Sequence, residues 1–110
     1  MSVYKRGATI RILLDEFTQD EWDAIWPFES VKCEANLEND LDLLEYSFSA
    51  MSDDVTKTIV LTSVSADEWP EGNYRLDARF TKGGEHIYVP ATDYIKFKII
   101  RPVTDDEVTP

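Results

Sequence analysis

The chain has 110 residues, 43% apolar and 12% aromatic, the composition of a globular protein at the size of one domain. Eleven Lys and Arg stand against 22 Asp and Glu, a formal net charge of −11. A field of that sign repels phosphate backbones and anionic lipid, so neither nucleic acid nor a membrane surface is an expected partner, and a basic protein surface is favoured.

Taken in order, residues 1–6 read as a loose lead-in, with no following apolar core of signal-peptide length. No apolar run approaches the ~18 residues of a membrane-spanning helix. A first strand is expected over Thr9–Leu14, with Ile10, Ile12 and Leu14 on one face and Leu13 as the exception to the alternation. Asp15–Trp26 breaks the strand pattern. Thr18-Gln19-Asp20-Glu21 has the form of a capping box, from which one helical turn would bring Trp22 and Trp26 onto one face before Pro27 ends it. A wide loop across the end of the fold is the alternative, and on either reading at least one tryptophan plugs the core.

A second strand is expected over Glu29–Leu37. Cys33, the sole cysteine, lies there in the alternating run Val31, Cys33, Ala35, Leu37, so it can form no intramolecular disulfide and serves as a small buried apolar side chain. Glu38–Asp42 is an acidic turn. A third strand opens at Leu43 or Leu44 and alternates through Tyr46, Phe48 and Ala50, with Met51–Asp54 as the next turn. Thr56–Val64, rich in β-branched residues, is a fourth strand. Ser65–Gly72 is a connection in which Ser65 and Glu68 suit one more helical turn, stopped by Pro70.

The hairpin Gly72–Pro90 carries the strongest pattern. Tyr74, Leu76, Ala78 and Phe80 point one way and Arg75, Asp77, Arg79 and Thr81 the other, the signature of a strand with one buried face. Gly72 permits a tight turn, and Gly83-Gly84 supply the positive φ that a short hairpin connection needs. Tyr74 is placed to send its hydroxyl to a loop backbone, as in a tyrosine corner. Asp77 between Arg75 and Arg79 sets up same-face ion pairs, each worth ~1 kcal/mol or less when exposed. A last strand lies within Ala91–Ile100, and residues 103–110 form an acidic tail expected to be mobile. The spacing predicts a single all-β domain, an immunoglobulin-like sandwich of about seven strands with one or two short helical turns.

No chemical constellation stands out. His86 is the lone histidine and reads as an exposed strand residue, with no orienting group to join it to Cys33 as a nucleophilic pair. Asn36, Glu38, Asp40 and Asp42 alternate like oxygen ligands for Ca²⁺, but Leu41 replaces the glycine and Ser47 the bidentate glutamate of an EF-hand loop. A solvated acidic turn, with no metal and no cofactor, is the expectation.

Arg6-Gly7-Ala8-Thr9, Thr58-Ile59-Val60-Leu61, the run from Ser65 through Trp69-Pro70-Glu71-Gly72-Asn73-Tyr74 to Phe80, and Tyr94–Ile99 occur in an order that resembles small β-sandwich proteins and domains of tailed bacteriophages and prophages. Among these are the N-terminal domains of baseplate and tail proteins. The resemblance covers about residues 6–102, with its specific part at Trp69–Phe80. It implies a non-enzymatic virion protein made in the bacterial cytoplasm, serving in capsid decoration, at the head–tail junction or in the tail. Its partners would be other virion proteins with a basic surface, self-association being left open. It brings no catalytic residue. Expected contact residues are Trp22, Trp26, Glu38, Asp40 and Asp42, while Trp69, Gly72, Tyr74, Gly83 and Gly84 are expected to be structural. The alternative is a carbohydrate-binding sandwich for host surface glycan, which requires solvent-exposed tryptophans.

Overall fold

The computed structural model describes residues 2–38, 45–64 and 69–103. These form eight strands, β1 (Ser2–Lys5), β2 (Arg11–Leu14), β3 (Ser30–Leu37), β4 (Tyr46–Asp53), β5 (Thr58–Ser63), β6 (Gly72–Lys82), β7 (Glu85–Val89) and β8 (Ile95–Ile100), with one helix, α1 (Gln19–Ile25), between β2 and β3. The strands make one mixed sheet in the order β1-β8-β6-β3-β4-β5-β2, with β7 also on β6. Only the β1–β8 pairing is parallel among the described strands. The sheet curls: Phe48 of β4 meets Phe97 of β8 at 6.0 Å, although β3 and β6 separate those strands in the ladder. The expected all-β sandwich class is what forms.

β6 is the spine. It pairs with β3 from Tyr74 to Thr81 along one edge. Along the other edge Gly72–Leu76 pairs with β8 and Ala78–Lys82 with β7. Its inward residues Tyr74, Leu76, Ala78 and Phe80 are all buried, as strict alternation requires. Tyr74 stacks on Phe97 at 5.0 Å and its hydroxyl donates to the Pro70 carbonyl at 2.6 Å. Gly72 takes φ +142°, and a Cβ there would stand 2.7 Å from Leu37 Cδ1, so both backbone and packing demand glycine. Gly83 and Gly84 have φ +59° and +80° in the β6–β7 turn, the double positive φ of a type I′ connection.

α1 closes one end of the core. Thr18 caps it as the capping box predicts: the Glu21 N–H donates to Thr18 Oγ1 at 3.1 Å and the Thr18 N–H to Glu21 Oε1 at 2.9 Å. No basic residue occupies the helix's last turn. Lys82 at the end of β6 reaches across instead, its Nζ donating to the Asp23 and Trp26 carbonyls at 2.6 and 2.9 Å. That satisfies carbonyls which a helix end leaves without intrahelical partners.

Three expectations are corrected. Residues 2–5 are not a lead-in: they pair with β8, Tyr4 packs edge-on to Phe97 at 6.1 Å, and the Arg6 N–H continues the ladder to the Ile100 carbonyl. The partner lies at the far end of the chain, so no local pattern announces it, and the strand count becomes eight. β4 runs on to Asp53, and the turn shifts to residues 54–57, where Asp53 Oδ1 accepts from the Val55 and Thr56 N–H groups and Lys57 takes φ 54°. The last strand begins at Ile95, because Pro90 to Tyr94 carry the chain in a step from β7 to β8. The Ser65–Glu68 turn and residues 104–110 of the tail lie outside the described residues.

Tyr74→Phe should lower unfolding stability by ~1 kcal/mol through loss of one hydrogen bond, read from the urea midpoint at unchanged slope. Gly72→Ala should cost more, ~2 kcal/mol, because strain and overlap with Leu37 add.

Candidate functional site

The inner face of the sheet is core, so the chemistry lies on its outer face, which divides into two regions. On β2, β5 and β4 it is nearly uncharged. Leu13, Val60 and Met51 stand in register across the three strands, with Leu13 55% and Met51 77% exposed. Beside them Arg11, Thr62 and Ser49 form the next row. β2 pairs only with β5 among the described strands; on its other edge the Arg11 carbonyl accepts from the Tyr4 hydroxyl at 3.2 Å, while the Leu13 backbone beside the apolar row has no strand partner there. Where β2 ends, an open groove of about 460 Å³ separates it from the β7–β8 step, with Leu14, Phe17, Val89 and Ile95 among its walls and Asp15 and Glu16 at its rim.

On β3 and β6 the outer face is charged, and the ladder sets like against like. Lys32 is opposite Arg79, and Glu34 opposite Asp77. The relief is lateral. Lys32 Nζ reaches Glu34 at 3.1 Å along its own strand, and Arg75 Nε donates to Asn36 Oδ1 at 2.8 Å. A hydrogen bond between the Glu34 and Glu45 carboxyls holds Glu34 below the usual carboxylate range and lifts Glu45 above it, because such a pair keeps one proton between them more readily than two separate groups would. Arg79 acts on Glu34, and its Nε is buried without a hydrogen-bond partner among the described residues.

The expected Arg75–Asp77–Arg79 ion pairs do not form. Arg75 is held by Asn36 and Arg79 makes no ion pair with Asp77, so the Asp77 carboxylate has no hydrogen bond or ion pair among the described residues. Burial pushes its pKa up. Asp77 sits opposite the β7–β8 step, between Ala78, which pairs with Val89, and Leu76, which pairs with Ile95. A notch of about 290 Å³ opens there, flanked by Tyr88 and Tyr94, each 46% exposed. Arg75 lies over the Tyr94 ring at 5.2 Å.

The structure redistributes the residues singled out from sequence. Trp22 is 1% exposed, stacks on Trp26 at 5.7 Å, and donates its indole N–H to Asp54 Oδ1 at 2.6 Å, so it is core and not a contact residue. Trp26 is half-buried between Trp22 and Phe28. Trp69, 4% exposed, packs against Phe48 and Tyr46. No fully exposed tryptophan platform remains for stacking on a sugar. Glu38 is exposed at the end of β3, while Asp40 and Asp42 lie outside the described residues. His86 is exposed on β7 with its Nδ1 3.0 Å from Thr81 Oγ1, on the face opposite buried Cys33, so the two cannot act together. Among the described residues no cluster of three metal-ligating side chains occurs. Sequence reasoning missed Tyr88 and Tyr94 as a pair, because the step that juxtaposes them has no periodic signal.

No family model and no curated protein matches the chain. A fold likeness exists. The chain is similar to part of red sea bream transglutaminase, with a TM-score of 0.58 at 18% identity, over 91% of this chain and 16% of the transglutaminase chain. At that identity the likeness concerns the fold alone.

Two outcomes test these environments. Asp77 gives up its proton less readily in the fold than in the unfolded chain, so the folded state holds more proton between the two pKa values and stability falls as pH rises through that window. Asp77→Asn should therefore raise the melting temperature at pH 7, and the gain should vanish below about pH 4, where the native carboxyl is protonated in both states. The Cys33 thiol is pushed up to about 12, first by its burial and then by Asp77 and Glu34. It should react with a disulfide reagent at pH 8 only as fast as the chain unfolds.

Proposed function

We propose that the chain is a non-enzymatic structural or interaction protein of a tailed-phage particle, working through protein–protein contacts in capsid decoration, at the head–tail junction or in the tail. The observation that carries the contact reading is the Leu13–Val60–Met51 row beside the free edge of β2. An aligned apolar row costs solubility, and next to unpaired strand backbone it suits the addition of a neighbour's strand or the seating of a neighbour's apolar surface. The phage assignment rests on the resemblance centred on Trp69–Phe80. The net charge of −11 favours a basic neighbour. The transglutaminase likeness contributes nothing to this reading. For the glycan-binding alternative, Trp22 and Trp69 are core residues, which leaves half-buried Trp26 as its one tryptophan at the surface.

Quantitative mass spectrometry of purified particles from the source phage or induced prophage tests the proposal. Hundreds of copies would indicate decoration, and a few to a few dozen a connector or tail position. Absence from intact particles would overturn it. In particles carrying Leu13→Ser with Met51→Ser, incorporation should fall at least tenfold. The melting temperature of the isolated variant should stay nearly unchanged, as exposed substitutions shift stability by only about 0.5 kcal/mol.

A further inference from the structure

We propose that the notch at Asp77, between Tyr88 and Tyr94, receives an arginine side chain of a partner protein. The proposal rests on the protein-contact reading above and names the chemistry of one contact. Three observations converge on it. First, Asp77 is a half-buried carboxylate that its strand neighbours leave unpaired: Arg75 is held by Asn36, and Arg79 forms no ion pair with it. A desolvated carboxylate without a partner is unfavourable in the free protein, and a cation arriving from outside relieves it.

Second, the notch wall holds two carboxylates, Asp77 and Asp93, and two tyrosines, with no lysine or arginine among its lining residues. Asp93 also accepts the Tyr94 N–H at 2.8 Å, which fixes the loop that carries the tyrosine. Third, both tyrosine rings are about half exposed at the mouth, on a surface whose net charge attracts cations. A planar guanidinium matches these features better than an ammonium: it stacks on tyrosine faces while its N–H fork pairs with a carboxylate. Aromatic-walled pockets that take one arginine are a usual form of interface anchor. The existing Arg75–Tyr94 contact shows that this ring already accepts a guanidinium on one side.

The test is a ¹⁵N-edited NMR titration of the full chain with N-acetyl-arginine amide, alongside the lysine, citrulline and neutral saccharide (maltose, N-acetylglucosamine) counterparts. Arginine amide should give saturable shifts at Asp77, Tyr88, Asp93 and Tyr94 in the millimolar range. Lysine amide should bind several-fold more weakly, and citrulline amide, which keeps the shape without the charge, should not saturate. Asp77→Asn should weaken arginine binding at least tenfold, and Tyr88→Ala several-fold, with both variants retaining a dispersed folded spectrum. Equal response to citrulline, unchanged binding by Asp77→Asn, or tighter binding of a saccharide would each overturn the proposal. Because the titration uses the isolated chain, it separates from the particle measurement. Saturation by arginine in a protein absent from particles would remove the virion reading and leave the notch standing. A silent notch in a protein present in particles would do the reverse.

Discussion

The inward row of β6 is the constraint on which the molecule depends. Tyr74 belongs to an aromatic group with Phe97, Trp69 and Tyr46 at one end of the strand, and at the other Phe80 meets Phe28, which packs on Trp26 and through it on Trp22. Edge-on and offset ring contacts favour particular geometries beyond the area they bury, so the two groups define two fixed ends of one core. The strand between them is held on both edges: β3 runs along one, and β8 and β7 share the other. α1 is tied to the same spine through Lys82, so the helix sits where β6 ends.

That sharing of an edge shapes the outer face. Where the chain steps from β7 to β8, β6 presents Asp77 opposite the step, and the tyrosines on either side of it belong to different sides of the gap. The ladder with β3 then decides where the arginines go. Asn36 faces Arg75 in register and holds it, while Arg79 faces Lys32 and Asp77 faces Glu34, so the carboxylate between the two arginines is left over. A surface that leaves one half-buried carboxylate unpaired beside two aromatic rings is organised around that group. The opposite region of the sheet is organised by the apolar row Leu13–Val60–Met51.

Much of this was legible in the chain. The alternation of Tyr74–Phe80 dictated a half-buried strand, Thr18 and Glu21 announced the start of α1, and Gly83-Gly84 marked the hairpin. Local periodicity failed where partners are distant. Ser2–Lys5 offers one inward aromatic, Tyr4, whose partner Phe97 is nearly a chain length away. Asp53 reads as a turn residue, yet its place at the end of β4 follows from its register with Thr58. The sequence neighbours of Asp77 promised ion pairs, and only the cross-strand register reveals that Arg75 is drawn to Asn36 and that Arg79 faces Lys32. The tryptophans misled for a related reason: a large amphipathic ring is as suitable for a contact surface as for a core, and the acceptor that draws the Trp22 indole inward, Asp54, lies on a different turn.

The two terminal strands of the sheet's path, β1 and β2, are neighbours in sequence, joined by residues 6–10. Sequence neighbours thus stand at opposite ends of the hydrogen-bond path, with β8, β6, β3, β4 and β5 laid between them. During synthesis β1 emerges before any strand it will touch, and its ladder partner β8 emerges after all the others. Its closure therefore carries the longest loop in the molecule and the largest entropic cost of bringing two segments together. The parallel seam is the joint with the largest chain separation, and the short link at Gly7 ties the two ends of the curling sheet together in the chain.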